Sequence, residues 1–434
     1  MLSGNSDAGP AREALTKGYL MSTPAPTLVD PAVQQCPYPH YDRMRSENPI
    51  QLDSGLGAYI VTSHELAIKI LGDFRTFSNI PQSARGVALA VDPRVMAILK
   101  EKGFGRFRPT VVNNDPPSHA RYRKLLNAAF KPSRIRTMEV YIGEIVEALG
   151  AALPESGETD IVSRFAIPLP LYIIADQLGI PRSDYPQFKI WSDAWLIAMG
   201  LGSVSDDVEA AANRVVEMQH YMIERIRSKR ETPTDDILSD LAAAELEEPD
   251  GTLRLLTDLE ILSMIEQVLI AGNESTTSAI GSGLMMIASD MTLQERLRSD
   301  PASMAPFVEE CLRLESPIQG LFRHVTNDVE LGGVSLSKGD VVMVRYAAAN
   351  RDSAKFADAT DIRLDRGRND HIAFGAGVHF CVGQQLARAE LVASFRYFLD
   401  RFRHIALAID RTDIPYAPSL ALRGPQSLPL LLTA

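Results

Sequence analysis

Apolar residues recur at helical spacing over most of this chain and alternate at strand spacing in only a few short runs. The pattern predicts helices over 63–72, 118–130, 135–152, 205–229, 235–245, 258–290, 303–315 and 383–402. In the last of these, Ala387, Leu391, Phe395, Phe398 and Phe402 keep one stripe. Segment 259–290 is apolar on almost every face, so its helix should run through the core. Thr257-x-x-Glu260 ahead of it forms a capping box. Residues 57–62 read as a short strand. Val329–Leu336 and Val341–Tyr346 read as two more, joined into a hairpin by Ser337-Lys338-Gly339-Asp340. These elements together predict a mainly α fold with small β-sheets.

Composition narrows the class. With 434 residues, 45% hydrophobic and 23% charged, the chain can bury a large core. A formal charge of −11 argues against nucleic acid as a partner. Three scattered cysteines (Cys36, Cys311, Cys381) make neither a disulfide framework nor a zinc pattern, which fits a reducing cytoplasm. No uninterrupted apolar run is long enough for a membrane anchor. Residues 1–25 read as a disordered lead-in, with Met21 as an alternative start, and 26–434 as a single domain.

The chemistry concentrates at Phe374-Gly375-Ala376-Gly377-Val378-His379-Phe380-Cys381-Val382-Gly383-Gln384-Gln385-Leu386-Ala387. Cys381 falls just before a predicted helix N-terminus, where unpaired N–H groups and the positive end of the dipole favour a thiolate. Glycines at 375, 377 and 383 leave room for a flat ligand against the backbone. A thiolate so presented suits axial ligation of haem iron. The stretch resembles the haem-binding signature of the cytochrome P-450 family, Phe-Gly-x-Gly-x-(His or Arg)-x-Cys-x-Gly-x-x-Leu-Ala, at every specified position. The resemblance implies a single trigonal-prism-like, mostly α domain with a buried haem b, and a soluble bacterial type of haem-thiolate monooxygenase.

Further segments fall into place under that resemblance. Ala271-Gly272-Asn273-Glu274-Ser275-Thr276-Thr277 interrupts the long helix with poor helix formers and invites a local bulge. It resembles the family's (Ala or Gly)-Gly-x-(Asp or Glu)-Thr element, with Glu274 as the acid. Ser275 stands where threonine is usual and Thr276 is the alternative hydroxyl. Glu310 and Arg313 match the Glu-x-x-Arg element, an internal ion pair. His119 and Arg123 follow Asp115-Pro116-Pro117 in an Asp-Pro-Pro-x-His-x-x-x-Arg pattern. With Arg323, His371 and His379 they are implied as anchors for the haem propionates.

No flavin or nicotinamide fingerprint is visible, so a separate electron donor is implied, a ferredoxin or flavodoxin with its reductase. Arg121, Lys124, Lys131, Arg134 and Arg136 form a candidate basic patch for it. Segments 82–112, 185–205, 264–275, 317–322 and 418–424 correspond to the family's pocket walls. They offer Val87, Leu196, Ile197, Met264, Val268, Ala271, Ile318, Leu321 and Leu420, with Gln267 and Gln319 as polar handles. Such a lining selects a hydrophobic small molecule, to be hydroxylated with O2. Two other readings stay open. One is a family member that uses peroxide directly or rearranges its substrate without external electrons; the other is a non-catalytic haem sensor. The acid–hydroxyl pair at 274–275 argues against both.

Overall fold

The computed structural model describes residues 26–80, 91–105, 108–200 and 207–434. The lead-in and start expected within 1–25, and Val87, lie outside them.

One helix, Asp258–Ser289, organises the rest. Thr257 caps it, accepting the Glu260 N–H while the Glu260 carboxylate takes the Thr257 N–H, so the expected capping box is present. Side chains on all its faces are buried at both ends, from Ile261 to Gln267 and from Thr276 to Ile287. Helix Gln384–Arg401 packs against it, and the ring of Phe395 occupies the position a Cβ on Gly283 would need. A side chain there would force the two helices apart. Helices Pro132–Ala151, Pro168–Gln177, Tyr185–Ala198, Val208–Glu231 and Met304–Glu315 complete the main core.

The helices expected at 118–130, 205–229, 258–290, 303–315 and 383–402 correspond to Ser118–Ala129, Val208–Glu231, Asp258–Ser289, Met304–Glu315 and Gln384–Arg401. The bulge expected at 271–277 is absent. The long helix runs unbroken there, and the wide turn lies instead at Val162–Ala166, where Ile167 N–H reaches back to the Val162 carbonyl. Thr277 Oγ1 donates to the Ala166 carbonyl at 3.0 Å, which gives that mid-helix hydroxyl a use outside its own helix.

A five-stranded sheet flanks the helical body in the order Ile50–Asp53, Ala58–Val61, Val341–Val344, Leu321–Val325, Phe77–Ser78. Val342 stands opposite Tyr59 in a parallel pair and opposite Arg323 in an antiparallel one. A three-stranded sheet joins His404–Leu407, Pro429–Thr433 and Ser156–Asp160. The expected hairpin between 329–336 and 341–346 does not form. Val329–Leu331 pairs with Val334–Leu336 across Gly332-Gly333, whose φ values of 58° and 80° fold the run back on itself. Ser337–Asp340 is a turn, but it leads Val341–Val344 onto Leu321–Val325. Among the described residues no helix is long and apolar enough to cross a membrane.

Candidate active site

The cysteine loop is shaped by its backbone. After Phe374 the chain turns through Gly375 and Gly377, both at φ 69°, a left-handed conformation open to glycine. Cys381 N–H then donates to the Phe374 carbonyl at 3.0 Å and closes the loop ahead of helix Gln384–Arg401. A Cβ on Gly377 would meet the Leu71 carbonyl oxygen at 2.3 Å, so this glycine seats the loop on helix His64–Gly72. A Cβ on Gly383 would meet no protein atom within 4 Å, and the same holds for Gly272 in the long helix. Clearance for a flat ligand thus describes Gly383, while Gly377 serves packing.

The three cysteines occupy different surroundings. Cys36 is exposed. Cys311 is buried, with its Sγ 3.7 Å from the Ala279 carbonyl, and burial pushes its thiol up. Cys381 is half-buried at the loop's end. Burial raises its pKa, and the Gly383 N–H with the charges of Arg123 and Arg388 only partly offsets that. The Gly383 N–H at the start of the helix thus acts in the direction expected of a helix N-terminus, against the desolvation.

Cations and histidines gather around the loop. Arg123, on helix Ser118–Ala129, reaches the Phe380 carbonyl at 2.5 Å and lies close enough for the Cys381 charge to be felt. His119, one turn earlier, is 2% exposed, and neither ring nitrogen has a hydrogen-bond partner among the described residues. Burial, helped by the charges of His379 and Arg123, lowers its pKa to about 4, so the ring is neutral. The His119 and His379 rings face each other with centroids 4.4 Å apart. Arg323 is 4% exposed, bonds the Phe322 carbonyl, and has no carboxylate in ion-pair range among the described residues. A buried guanidinium without a counter-ion and a buried imidazole without a partner call for an anionic, hydrogen-bonding ligand. Those groups, the space beside Gly383 and Gly272, and a lone cysteine fit a haem with its propionates.

His371 does not belong to this set. Its Nε2 is 2.9 Å from Glu309 and its Nδ1 accepts the Ala373 N–H at 3.2 Å, so both nitrogens are engaged. Against the raising effect of burial, hydrogen bonds from Arg388 and His371 hold Glu309 at about 2. Arg388 went unnoticed in the sequence. It bridges Glu309 and stacks its guanidinium 4.5 Å over the Phe374 ring, and its spacing along the helix from Gln384 was the available signal. The Glu310–Arg313 ion pair is buried as expected, with Nε–Oε1 at 2.7 Å and Nη2–Oε2 at 2.8 Å.

On the long helix, Ala271, Gly272, Glu274 and Ser275 are accessible where the turns on either side are buried. Ser275 Oγ donates to the Ala271 carbonyl at 2.6 Å, so both lie on this open face. Thr276 is buried on another face and has no hydrogen bond among the described residues. Of the two candidate hydroxyls, Ser275 is the one presented. Burial raises the Glu274 pKa, Lys189 lowers it and Asp193 raises it. Those two form an ion pair on helix Tyr185–Ala198, which Asn273 ties to the long helix through a 3.1 Å bond to Ser192 Oγ.

The expected pocket is corrected in part. Gln267 Oε1 accepts the Val112 N–H at 2.7 Å, and its amide donates to Thr110 Oγ1 and the Ser263 carbonyl. Gln319 is bound by Tyr41 and donates to the carbonyls of Glu315 and Ser316. Neither amide is free to handle a ligand. Met264 is sealed in the main core and Leu420 packs on the N-terminal cluster around Tyr41 and Ile60. Val268 and Ile318 stay half-buried. The basic patch is also mostly neutralised: Arg121 pairs with Glu248, Lys124 with Glu247, and Arg134 with Asp235 and Asp240. Lys131 and Arg136 alone of the five have no such partner among the described residues. A more open groove, of about 1030 Å³, runs beside the cysteine loop past Ile68, Lys69, Lys355, Gly375 and Phe380.

Comparison with known proteins agrees with this geometry. The sequence model of the family "Cytochrome P450" matches residues 185–304 and 303–430. Cytochrome P450 107B1 of Saccharopolyspora erythraea is 32% identical over 405 residues, covering 92% of this chain and 96% of that protein. The 6-deoxyerythronolide B hydroxylase of the same organism is 32% identical over 400 residues, covering 91% and 96%. The solved structure of the Bacillus subtilis polyketide synthase cytochrome P450 PksS superposes with a TM-score of 0.82 at 29% identity, over 94% of this chain and 99% of that one. The mainly α body with small sheets, the cysteine loop and these relatives together show that the chain belongs to the cytochrome P450 family and is one of its monooxygenases.

Proposed function

We propose that this enzyme binds haem b through Cys381 and hydroxylates a hydrophobic small molecule with O2 and electrons from a separate donor. The observation that carries the reading is the placement of Cys381. It is the half-buried cysteine, fixed by the Phe374 carbonyl, flanked by Arg123 and Arg388, and followed by open space at Gly383. Bound there, the haem supplies reductive activation of O2, and a thiolate ligand favours O–O cleavage. An iron held there would favour the thiolate form of Cys381 over the thiol.

The chain's own groups hold the cofactor and manage protons. Arg123, Arg323, His119 and His379 would hold its carboxylates. Desolvation raises the Glu274 pKa, so its carboxyl takes up a proton more readily than an exposed glutamate would. The Ser275 hydroxyl on the open face can accept that proton and release its own after leaving the Ala271 carbonyl. Lys189 and Asp193, both partly exposed, lie near enough to act on the Glu274 carboxyl electrostatically and mark the side from which its proton would be restored. Val268, Ala271 and Gly272 give the substrate an apolar wall. The 6-deoxyerythronolide B hydroxylase shows that a relative of this length hydroxylates an organic substrate. We assign the groove beside the cysteine loop to the ferredoxin or flavodoxin donor, with exposed Ile68 and Phe380 as apolar contacts.

The test is reconstituted turnover. Ferric protein is titrated with terpenoids, aromatics, steroids and fatty acids while the haem spin state is followed. The responding ligand is then incubated with NADH, reductase, ferredoxin or flavodoxin, and isotopically labelled O2. One labelled oxygen atom in the product supports the reading; product formation without reductant, or with oxygen from water, overturns it.

A further inference from the structure

Asp115 stands next to the cofactor anchors, and none of the roles above uses it. Its side chain is 11% exposed and held from several sides. Oδ2 accepts the Ser78 hydroxyl at 2.5 Å, Oδ1 accepts the Asn79 N–H at 3.2 Å, and Oδ1 also lies 3.4 Å from His379 Nε2. Its carbonyl accepts the His119 N–H at 3.0 Å, so one residue contacts both histidines. Three separate pieces of chain meet on it: strand Phe77–Ser78 at the sheet edge, the start of helix Ser118–Ala129, and the cysteine loop.

A carboxylate beside the place where an anionic cofactor presents its own carboxylates is repulsive unless something lies between them. His379 lies there. We infer that Asp115 is a positioning residue, whose carboxylate, aimed by Ser78 and the Asn79 N–H, takes the Nε2–H of His379 and fixes the orientation of that ring beside the cofactor's carboxylates. His119, its ring tilted at 51° against that of His379 and its backbone tied to Asp115, is placed by the same residue. Hydrogen bonds from His379, Ser78 and Asn79 outweigh burial and keep Asp115 ionised, as this role requires. Where a carboxylate orients a histidine that ligates a metal, its loss weakens binding by about 10–100-fold, and an effect of that order is expected for a histidine that orients on a cofactor carboxylate.

This inference rests on the haem reading, and its test separates the two. Haem release from the ferric holoprotein to apomyoglobin, and the ferric–ferrous midpoint potential, are measured for wild type, Asp115→Asn, His379→Gln and the double variant. If Asp115 acts through His379, Asp115→Asn speeds haem release about tenfold and shifts the potential, and neither change appears in the His379→Gln background. Equal effects in both backgrounds, or none in either, overturn it. Ser78→Ala, which frees the carboxylate without removing its charge, should speed release in the same His379-dependent way and stands in should Asp115→Asn not fold. The ferrous–CO spectrum is recorded throughout. A wild type lacking the red-shifted Soret band overturns the haem-thiolate reading, whereas a normal band with additive variants overturns this inference alone.

Discussion

Arg313 offers the most quantitative prediction. Its side chain is 0% exposed and makes five hydrogen bonds: two to Glu310 and one each to the carbonyls of Asn350, Ala359 and Asp361. Arg313→Leu leaves those three carbonyls without their charged donor and Glu310 with only the Arg363 N–H, Arg366 and Asn369. Removing one partner of a buried ion pair costs about 3–5 kcal/mol, and each orphaned buried acceptor alone accounts for about 1–3 kcal/mol. At about 2 °C per kcal/mol for a chain this long, the melting temperature should fall by about 6–10 °C. The assay is thermal unfolding of the holoprotein by near-UV circular dichroism at a fixed scan rate. Arg313→Lys should recover only a minor part, since one ammonium cannot replace a fork that meets two carboxylate oxygens and three carbonyls. Replacing both Glu310 and Arg313 by leucine should be less damaging than the two single losses added together. A fall of less than about 2 °C for Arg313→Leu would refute the claim that this pair locks segment 350–363 onto helix Met304–Glu315.

Other residues give sharper qualitative outcomes. Glu266 is buried, and desolvation pushes its pKa from 4.5 up to about 7 despite the bond from Gln219. A raised carboxyl pKa gives stability that is greatest below about 4.5 and lost as pH climbs to about 7, by at most about 3 kcal/mol. Glu266→Gln should abolish that decline, read as urea midpoints at pH 5 and pH 8; an unchanged decline sinks the assignment. Gly377→Ala must place a Cβ against the Leu71 carbonyl at positive φ and should destabilise the protein by at least about 2 kcal/mol. Gly383→Ala meets only open space, so it should keep the melting temperature of the cofactor-free protein while lowering haem content. Equal behaviour of the two variants would contradict the packing assigned to them. Glu274→Gln should leave the substrate-induced spin shift unchanged and divert reducing equivalents to peroxide, measured as product formed per NADH consumed.

Local signals carried the reading furthest. The loop 374–387 was legible because its glycines, cysteine and helix start lie within one short stretch, and the long helix announced itself through its capping box and apolar faces. What failed depended on partners distant in sequence. His371 and His379 are the same residue type on either side of Phe374, and only the fold sets Glu309 against one and Asp115 against the other. Gln267 and Gln319 looked like free amides until the folded chain brought Thr110 and Tyr41 to them. The 329–336 run is apolar enough for one strand, yet Gly332-Gly333 turns it into two. The pairing of Val341–Val344 with Ala58–Val61 joins segments far apart in sequence and leaves no local trace.

The central claim is that Cys381 is the thiolate that holds the haem iron. Its most direct test is the ferrous–CO absorption spectrum of the purified wild type beside that of Cys381→Ser, with Cys311→Ser as the control for a buried structural thiol. The account expects the red-shifted Soret band in wild type and Cys311→Ser and its loss in Cys381→Ser. A Cys381→Ser protein that keeps the band would contradict the account.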